Sequence, residues 1–440
     1  MRFPIPWLDR AALVSVMLLP VLLLHAHGIA EGAIAVADVC LLAASALRHD
    51  WRWLRTPWFR IAGAWWLWLV VCSLPLPVIG VGEGRAHSLV QAIVMVRFLM
   101  LAACLEHLAL RADKARRWMF GLVAASAVWV GGNALIQQVF GHNLLGWPRS
   151  GDGELTGPFR KPRAGPALAR ILIPAILPPV SALLGRHRAA AAVGAYALLL
   201  LGVVVMVLIG QRMPLVISVF GLVVAAVLMP RLRPLVLAGA VAGGLLLAAS
   251  PVVAPSAYYR LVEKFSGQIE HFAVSHYGKL YARAWEIGVQ NPVTGLGFDG
   301  FATGCKEPRY FRPSFDGSIA DGGGAVICWD HPHNYYFQAL ADGGFVGLVL
   351  FSATAVAWLT ALGRGLGRDP EPVRVALFAA AFLQLWPIQS STAFYGMPIG
   401  GWFFLLLGWG LAEARWRPLR EARGRRTDQS QGQPSVGPVA

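Results

Sequence analysis

Charge is what this sequence has least of. Charged residues make up 14% of the 440 and hydrophobic residues 56%, whereas soluble domains carry about a quarter charged residues. With a mean hydropathy of +0.56, that balance excludes an ordinary soluble enzyme. Cysteine is scarce too, and five residues exclude a small scaffold built on disulfides. The few carboxylates form no cluster suited to Mg²⁺. No internal repeat of the transporter kind is visible, and polar residues do not gather at a membrane midplane.

Long apolar runs are what the sequence does have. A bilayer core of ~30 Å needs about 20 apolar residues per helix, and a spanning backbone must bond to itself. The fold class expected is an all-α polytopic membrane protein of about twelve transmembrane helices. They are placed at 8–27, 29–47, 60–78, 88–108, 118–139, 165–184, 189–209, 213–229, 235–253, 335–362, 373–392 and 399–414. The first run continues past Pro20 with no small-residue cleavage site, so it is expected to stay as a span.

Arginines set the orientation. Alternate connectors carry Arg48, Arg52, Arg55 and Arg60; Arg111, Lys114, Arg116 and Arg117; Arg186 and Arg188; Arg231 and Arg233; Arg364, Arg368 and Arg374. All fall on the side of the N-terminus, so both termini are expected in the cytoplasm. The formal charge of +15 then reports topology rather than nucleic-acid binding. Four regions follow: spans one to nine over 1–253, a large partly helical outer loop over 254–334, spans ten to twelve over 335–415, and a basic, then polar tail over 416–440 read as disordered.

The outer side holds the unusual residues. Connector 79–87 is short, but "GHNLLGWPRSGDGELTGPFRKPRAG" at 140–164 is long and basic, and 254–334 is longer still. Loops of that length escape the charge rule and tend to carry function. If the host is a Gram-negative bacterium, that side is the periplasm. ATP is not available there, so chemistry on this face needs an already activated substrate.

Cys40, Cys72 and Cys104 lie within spans and read as small hydrophobes. Cys305 and Cys328 share the outer loop, where a disulfide would close a loop worth ~3 kcal/mol in the entropy model. The competing reading, zinc held by these two with His331 and His333, matches no common ligand spacing. Disulfide and no metal is the expectation.

Within the loop, "YGKLYARAWEIGVQNPVTGLGFDGF" (277–301) puts Leu280, Ala284 and Ile287 on one helical face. Arg283 and Glu286 fall on another at pairing distance. The helix stops at Asn291-Pro292, and Gly295, Gly297 and Gly300 permit a tight turn. Tyr277, Tyr281 and Trp285 read either as interfacial aromatics or as platforms for sugar rings. At "LIGQRMPLVISVF", Arg212 sits in a hairpin so short that it must stay near the membrane. It reads either as a snorkelling helix end or as a bidentate phosphate ligand. Arg97 and Arg170 lie deeper, and an arginine inside a span costs ~2.5–3.5 kcal/mol on insertion scales. Each is a candidate site residue or a structural partner for Asp38 or Glu106.

"WDHPHNYYFQALADGGFVGL" (329–348) opens a span with His333 and Asn334 at its start. The positive end of the helix dipole disfavours protonated imidazole, so a histidine held there is neutral and available as a base. A bland helix end is the competing reading. Pro332 is expected to turn His331 elsewhere, and Gly344 with Gly347 to form one close-packing face.

The pattern His-Asn, nine residues, Gly, two residues, Gly at 333–347 resembles the signature of the O-antigen ligase and polymerase superfamily. The order of features is similar as well: Arg212 at the short hairpin, Arg283 before the Asn-Pro-x-x-Gly-x-Gly turn at 291–297, then the histidine. Stretch 157–165 takes the place of a Gly-Phe-Asn-Pro-like segment, with Arg160, Lys161 and Arg163 where relatives have neutral residues. The resemblance implies a bacterial inner-membrane glycosyltransferase that uses no cofactor. Its donor would be an undecaprenyl-diphosphate-linked O-antigen and its acceptor lipid A–core oligosaccharide, both reached from membrane lipid. His333, Arg212 and Arg283 are the implied catalytic residues. Arg160, Arg163, Arg170, Asn334 and Tyr281 are the candidate substrate and pyrophosphate contacts. A polymerase would share these motifs. A protein O-glycosyltransferase of the superfamily usually carries a further periplasmic domain, which the short tail argues against, and a transporter lacks support for the reasons given above.

Overall fold

A computed structural model of the chain describes residues 6–75, 86–151, 153–318, 320–368, 370–388 and 394–431. Residues 76–78 and 389–392 of two expected spans, most of connector 79–87 and the last residues of the tail lie outside these. The helices are α1 Pro6–His25, α2 His27–Arg48, α3 Pro57–Cys72, α4 His87–Ala109, α5 Asp113–Phe140, α6 Ala164–Leu184, α7 Ala189–Ile209, α8 Arg212–Leu228 and α9 Pro230–Val253. After them come α10 His276–Gln290 in the loop, then α11 Tyr335–Gly363, α12 Pro372–Gln384 and α13 Ile399–Gln431. Among the described residues the one extended contact is an isolated bridge between His142 and Pro148.

Eight of these helices (α1, α2, α4, α5, α6, α7, α9 and α11) are long and apolar enough to cross a membrane. The chain is a polytopic membrane protein. Three of the expected spans fall on shorter apolar helices, α3, α8 and α12. The α12 helix stops because Pro387 follows closely and pushes the residue before it out of helical geometry. The last helix runs on to Gln431, past the boundary that composition placed at 415; its Arg, Glu and Ala residues are good helix formers.

Capping follows local chemistry. Gly210 ends α7 in the left-handed conformation at φ 72°, and the chain reverses at once into Arg212. Glu371 caps α12 by accepting from the Arg374 amide at 3.0 Å, with Pro372 in the first helical position where a missing N–H costs nothing.

Trp65, Trp358, Trp402 and Trp409 are fully buried at the centre with Phe98, Phe351, Phe403 and Phe404. The periphery is apolar outward, and along α9 only Leu232, Leu235, Gly239 and Ser250 are buried. Several charges inside the bundle are paired. Arg97 holds Glu31 with two bonds, at 2.8 and 3.0 Å, and Arg415 holds Glu106 at 2.8 Å. Arg97 is therefore structural, but its partner is neither Asp38 nor Glu106: Glu31 lies on the neighbouring α2 and reaches it first.

The loop domain sits on one end of this bundle. The bundle's Ser73, just past α3, accepts from the Phe298 amide at 2.8 Å, and α11 leaves the domain at Tyr335. Arg52 and Arg55 precede α3 and Arg364 follows α11, so the arginine-rich connectors lie at the other end.

Candidate active site

The loop domain has a small core of its own. Leu280, Ala284 and Ile287 of α10 are fully buried and pack with Leu296, Phe301 and Tyr310. Cys305 and Cys328 form a disulfide across this core, with Cα atoms 5.7 Å apart. Arg283 does not join Glu286 as its spacing suggested. Its guanidinium is buried beside the disulfide, donating to the carbonyls of Cys305, Asp321 (3.2 Å) and Gly324 (3.1 Å) and lying 4.1 Å over the Phe311 ring. Glu286 turns outward to Arg312, 3.3 Å away. Arg283 flanks the apolar face closely enough for its stem to be drawn in, and three loop carbonyls then satisfy its charge. Burial lowers its pKa to about 10, against the pull of Asp321, and it stays cationic at neutral pH.

The turn after α10 is spliced into a broken α11. At Gly344 the helix departs to φ 64° and ψ −164°. This opens backbone groups that the turn fills: the Leu296 amide donates to Ala341 at 2.9 Å and the Phe345 amide to Pro292 at 2.8 Å. Asp342, fully buried, accepts from the Gly300 amide at 3.0 Å. A Cβ on Gly295 would sit 2.5 Å from the Ala341 oxygen, and one on Gly344 would sit 2.5 Å from the Val293 carbonyl carbon. The α3 helix closes the joint, as Trp68 donates from Nε1 to the Gly343 carbonyl at 2.9 Å. Gly344 and Gly347 are thus not one packing face. Gly347 faces Trp68, while Gly344 is the break itself, a conformation only glycine adopts cheaply.

This splice fixes where α11 begins. Asn334 caps it, accepting from the Tyr336 (2.9 Å) and Phe337 (3.2 Å) amides and donating to the Pro387 carbonyl at 2.7 Å. Its side chain also bonds Tyr281. Buried in this way, Asn334 fixes the turn. His333, one residue earlier, is held at φ 59° and remains half-buried. Tyr277 meets its ring edge-on at 5.3 Å, and Trp329 stands 6.1 Å away. Pro332 does not turn His331 away, because the two imidazoles lie 4.5 Å apart. His331 is half-buried as well, and its Nε2 is buried without a hydrogen-bond partner among the described residues. Burial lowers its pKa, Asp330 opposing.

An aromatic wall continues along α10. Tyr281 packs on Phe337 at 4.8 Å and on Phe272 at 5.8 Å, and its phenol is raised above the ordinary value by burial. Trp329 is 56% exposed, so the wall has an open face next to His333.

The arginines divide. Arg170 of α6 hydrogen-bonds the side chain of Tyr335, two residues beyond His333. Arg212 starts α8, donating to the Lys264 carbonyl at 3.4 Å beneath the loop and lying 5.8 Å over Phe265. Its neighbour Gln211 donates to the Pro162 carbonyl at 2.9 Å and packs on Gly165 at the head of α6. The α6 helix thereby carries Arg170 and meets the residue that precedes Arg212. Arg160 and Arg163 are exposed; Arg160 lies 4.0 Å over Trp147 and Arg163 lies near His27. Among the described residues neither touches the His333 turn. Sequence reasoning did not find the Tyr277–His333 and Arg170–Tyr335 contacts, which join residues from helices far apart in the chain.

Among the described residues no group of three or more His, Cys, Asp or Glu is placed to hold a metal ion. The arrangement offers two half-buried imidazoles side by side, an aromatic wall beside His333, Arg170 within α6 bonded to Tyr335, and Arg212 at the start of α8. No curated protein matches the chain. Residues 197–352, which carry Arg212, Arg283 and His333, match the Wzy_C family model, described as O-antigen ligase. The stretch from α7 through the loop domain into α11 is an O-antigen ligase (Wzy_C) family domain.

Proposed function

We propose that this protein is an O-antigen ligase, moving a glycan from undecaprenyl diphosphate onto a sugar hydroxyl of lipid A–core oligosaccharide. Membership of its central domain in the Wzy_C family implies a glycosyl-transfer enzyme acting on lipid-linked glycans. The observation that carries the reading further is the position of His333, half-exposed at a membrane-helix start beside Tyr277 and Trp329, two residues before the Tyr335 that Arg170 bonds.

His333 accepts the acceptor hydroxyl's proton as that oxygen attacks the anomeric carbon. The bond from that carbon to the diphosphate oxygen breaks, undecaprenyl diphosphate leaves, and one displacement inverts the centre. Arg212 and Arg170 meet the charge growing on the diphosphate, with Tyr335 holding Arg170 in place. Arg283 acts at one remove: its guanidinium is committed to loop carbonyls, so it sets the shape of the segment leading to His333. Trp329 and Tyr277 give sugar rings an apolar face. Asn334 and Tyr281 brace the turn, and Arg160 and Arg163 guide the anionic donor from further out.

In this reading the helices make twelve crossings of a bacterial inner membrane. The arginine-rich end faces the cytoplasm and the loop domain the periplasm. The test is reconstitution of the purified chain with lipid-linked glycan and both candidate acceptors. Transfer to lipid A–core supports a ligase. Extension of the lipid-linked glycan alone would make it a polymerase.

A further inference from the structure

At the end of the bundle away from the loop domain, a cleft of about 880 Å³ opens between α3, α11 and α13. One wall is apolar, built by Ile61, Val356, Ala357 and Leu411, and four arginines (Arg52, Arg55, Arg364 and Arg415) stand at its rim. Two of these are committed, Arg52 to Asp50 at 2.7 Å and Arg415 to Glu106 at 2.8 Å. Glu106 also accepts from Trp58 at 2.9 Å, so the one acid lining the cleft among the described residues is satisfied. Arg55 and Arg364 are exposed and have no side-chain hydrogen bond or ion pair among the described residues. The cleft therefore carries two surplus positive charges just outside the ends of α3 and α11. Inside them, Val356 is 64% exposed.

We propose that this cleft binds the phosphate headgroup of an anionic membrane phospholipid, with an acyl chain along Ile61 and Val356. Guanidinium forks suit phosphate oxygens, and basic pockets between membrane helices suit anionic headgroups. Free phosphate would meet the arginines and leave the apolar wall bare. A zwitterionic lipid would bring an ammonium group against them. Bound there, the lipid ties α3 to α11, the two helices whose opposite ends hold the loop domain, α3 through Ser73 and α11 through its backbone bonds to Pro292 and Leu296. The proposal does not depend on which glycan the protein transfers.

The test is thermal unfolding of the delipidated full chain in detergent, titrated with phosphatidylglycerol, phosphatidylcholine or inorganic phosphate. Phosphatidylglycerol should raise the unfolding temperature, and the other two should not. A paired Arg55→Gln and Arg364→Gln variant should need roughly 25-fold more phosphatidylglycerol, about fivefold for each charge removed. Ala357→Trp should weaken the response with the charges intact. Equal shifts from phosphatidylcholine, a full shift from phosphate alone, or a wild-type response in the paired variant would each overturn the proposal.

Discussion

Arg170 of α6 and Tyr335 of α11 meet through their side chains, joining a deep membrane arginine to the turn that carries His333. The contact gives a half-buried guanidinium a partner that does not cancel its charge. Arg170 can therefore face an anion where Arg97, locked to Glu31, cannot.

If Tyr335 positions Arg170 for the donor, Tyr335→Phe should raise the donor KM about tenfold, the scale of a lost hydrogen bond to a charged group. Turnover at saturating donor should change little. Arg170→Gln should lose more, and Arg170→Lys should recover part. Steady-state kinetics at fixed acceptor separates these outcomes. A lowered unfolding temperature with unchanged KM would reduce the pair to a structural tie.

Gly344→Ala should destabilise the protein by at least about 3 kcal/mol, since the added carbon meets the Val293 carbonyl and the backbone there is strained for any side chain. Gly132→Ala, with nothing within 4 Å, should be harmless. Thermal unfolding of the two variants side by side checks this.

Arg283→Lys should loosen the loop almost as much as Arg283→Ala, because a compact ammonium cannot span the three carbonyls that the two arms of the guanidinium fork reach. A cost of about 3 kcal/mol or more follows from the unsatisfied buried groups. Limited proteolysis within 305–330 reads the loosening, and the folded fraction should keep its donor affinity. A protease-resistant loop with lost donor affinity would make Arg283 a direct diphosphate ligand.

Asp299 gives a pH signature. Burial, with Asp330 nearby and His87 opposing, raises its carboxyl to about 6. A raised acid holds its proton more tightly in the folded state, so stability falls as pH rises from about 4 to about 6 and stays reduced above. Asp299→Asn should therefore stabilise the protein at pH 7.5 and have little effect at pH 4. Asparagine also tolerates the φ of 62° found there. Unfolding temperatures at the two pH values measure it; an equal change at both would dissociate the effect from titration.

The distribution of membrane helices was legible because an apolar run of the right length has few other uses. The face of Leu280, Ala284 and Ile287 was legible for a similar reason, period alone placing it. The partners of Arg283 were not, since they lie 22 to 45 residues away in irregular backbone. Nor was the break at Gly344: the run from Tyr335 to Gly363 is long and mostly apolar, so it reads as one continuous helix, and its glycines do not reveal which packs and which interrupts. His333 could be singled out by its place at a helix start, but Tyr277 and Arg170 come to it only through the fold.

The most direct measurement is glycan transfer by purified His333→Ala, with lipid-linked donor and lipid A–core acceptor. A lost general base should lower the rate ~10²–10⁴-fold, with unfolding temperature and donor binding unchanged and His331→Ala milder. A near-wild-type rate for His333→Ala would contradict the account.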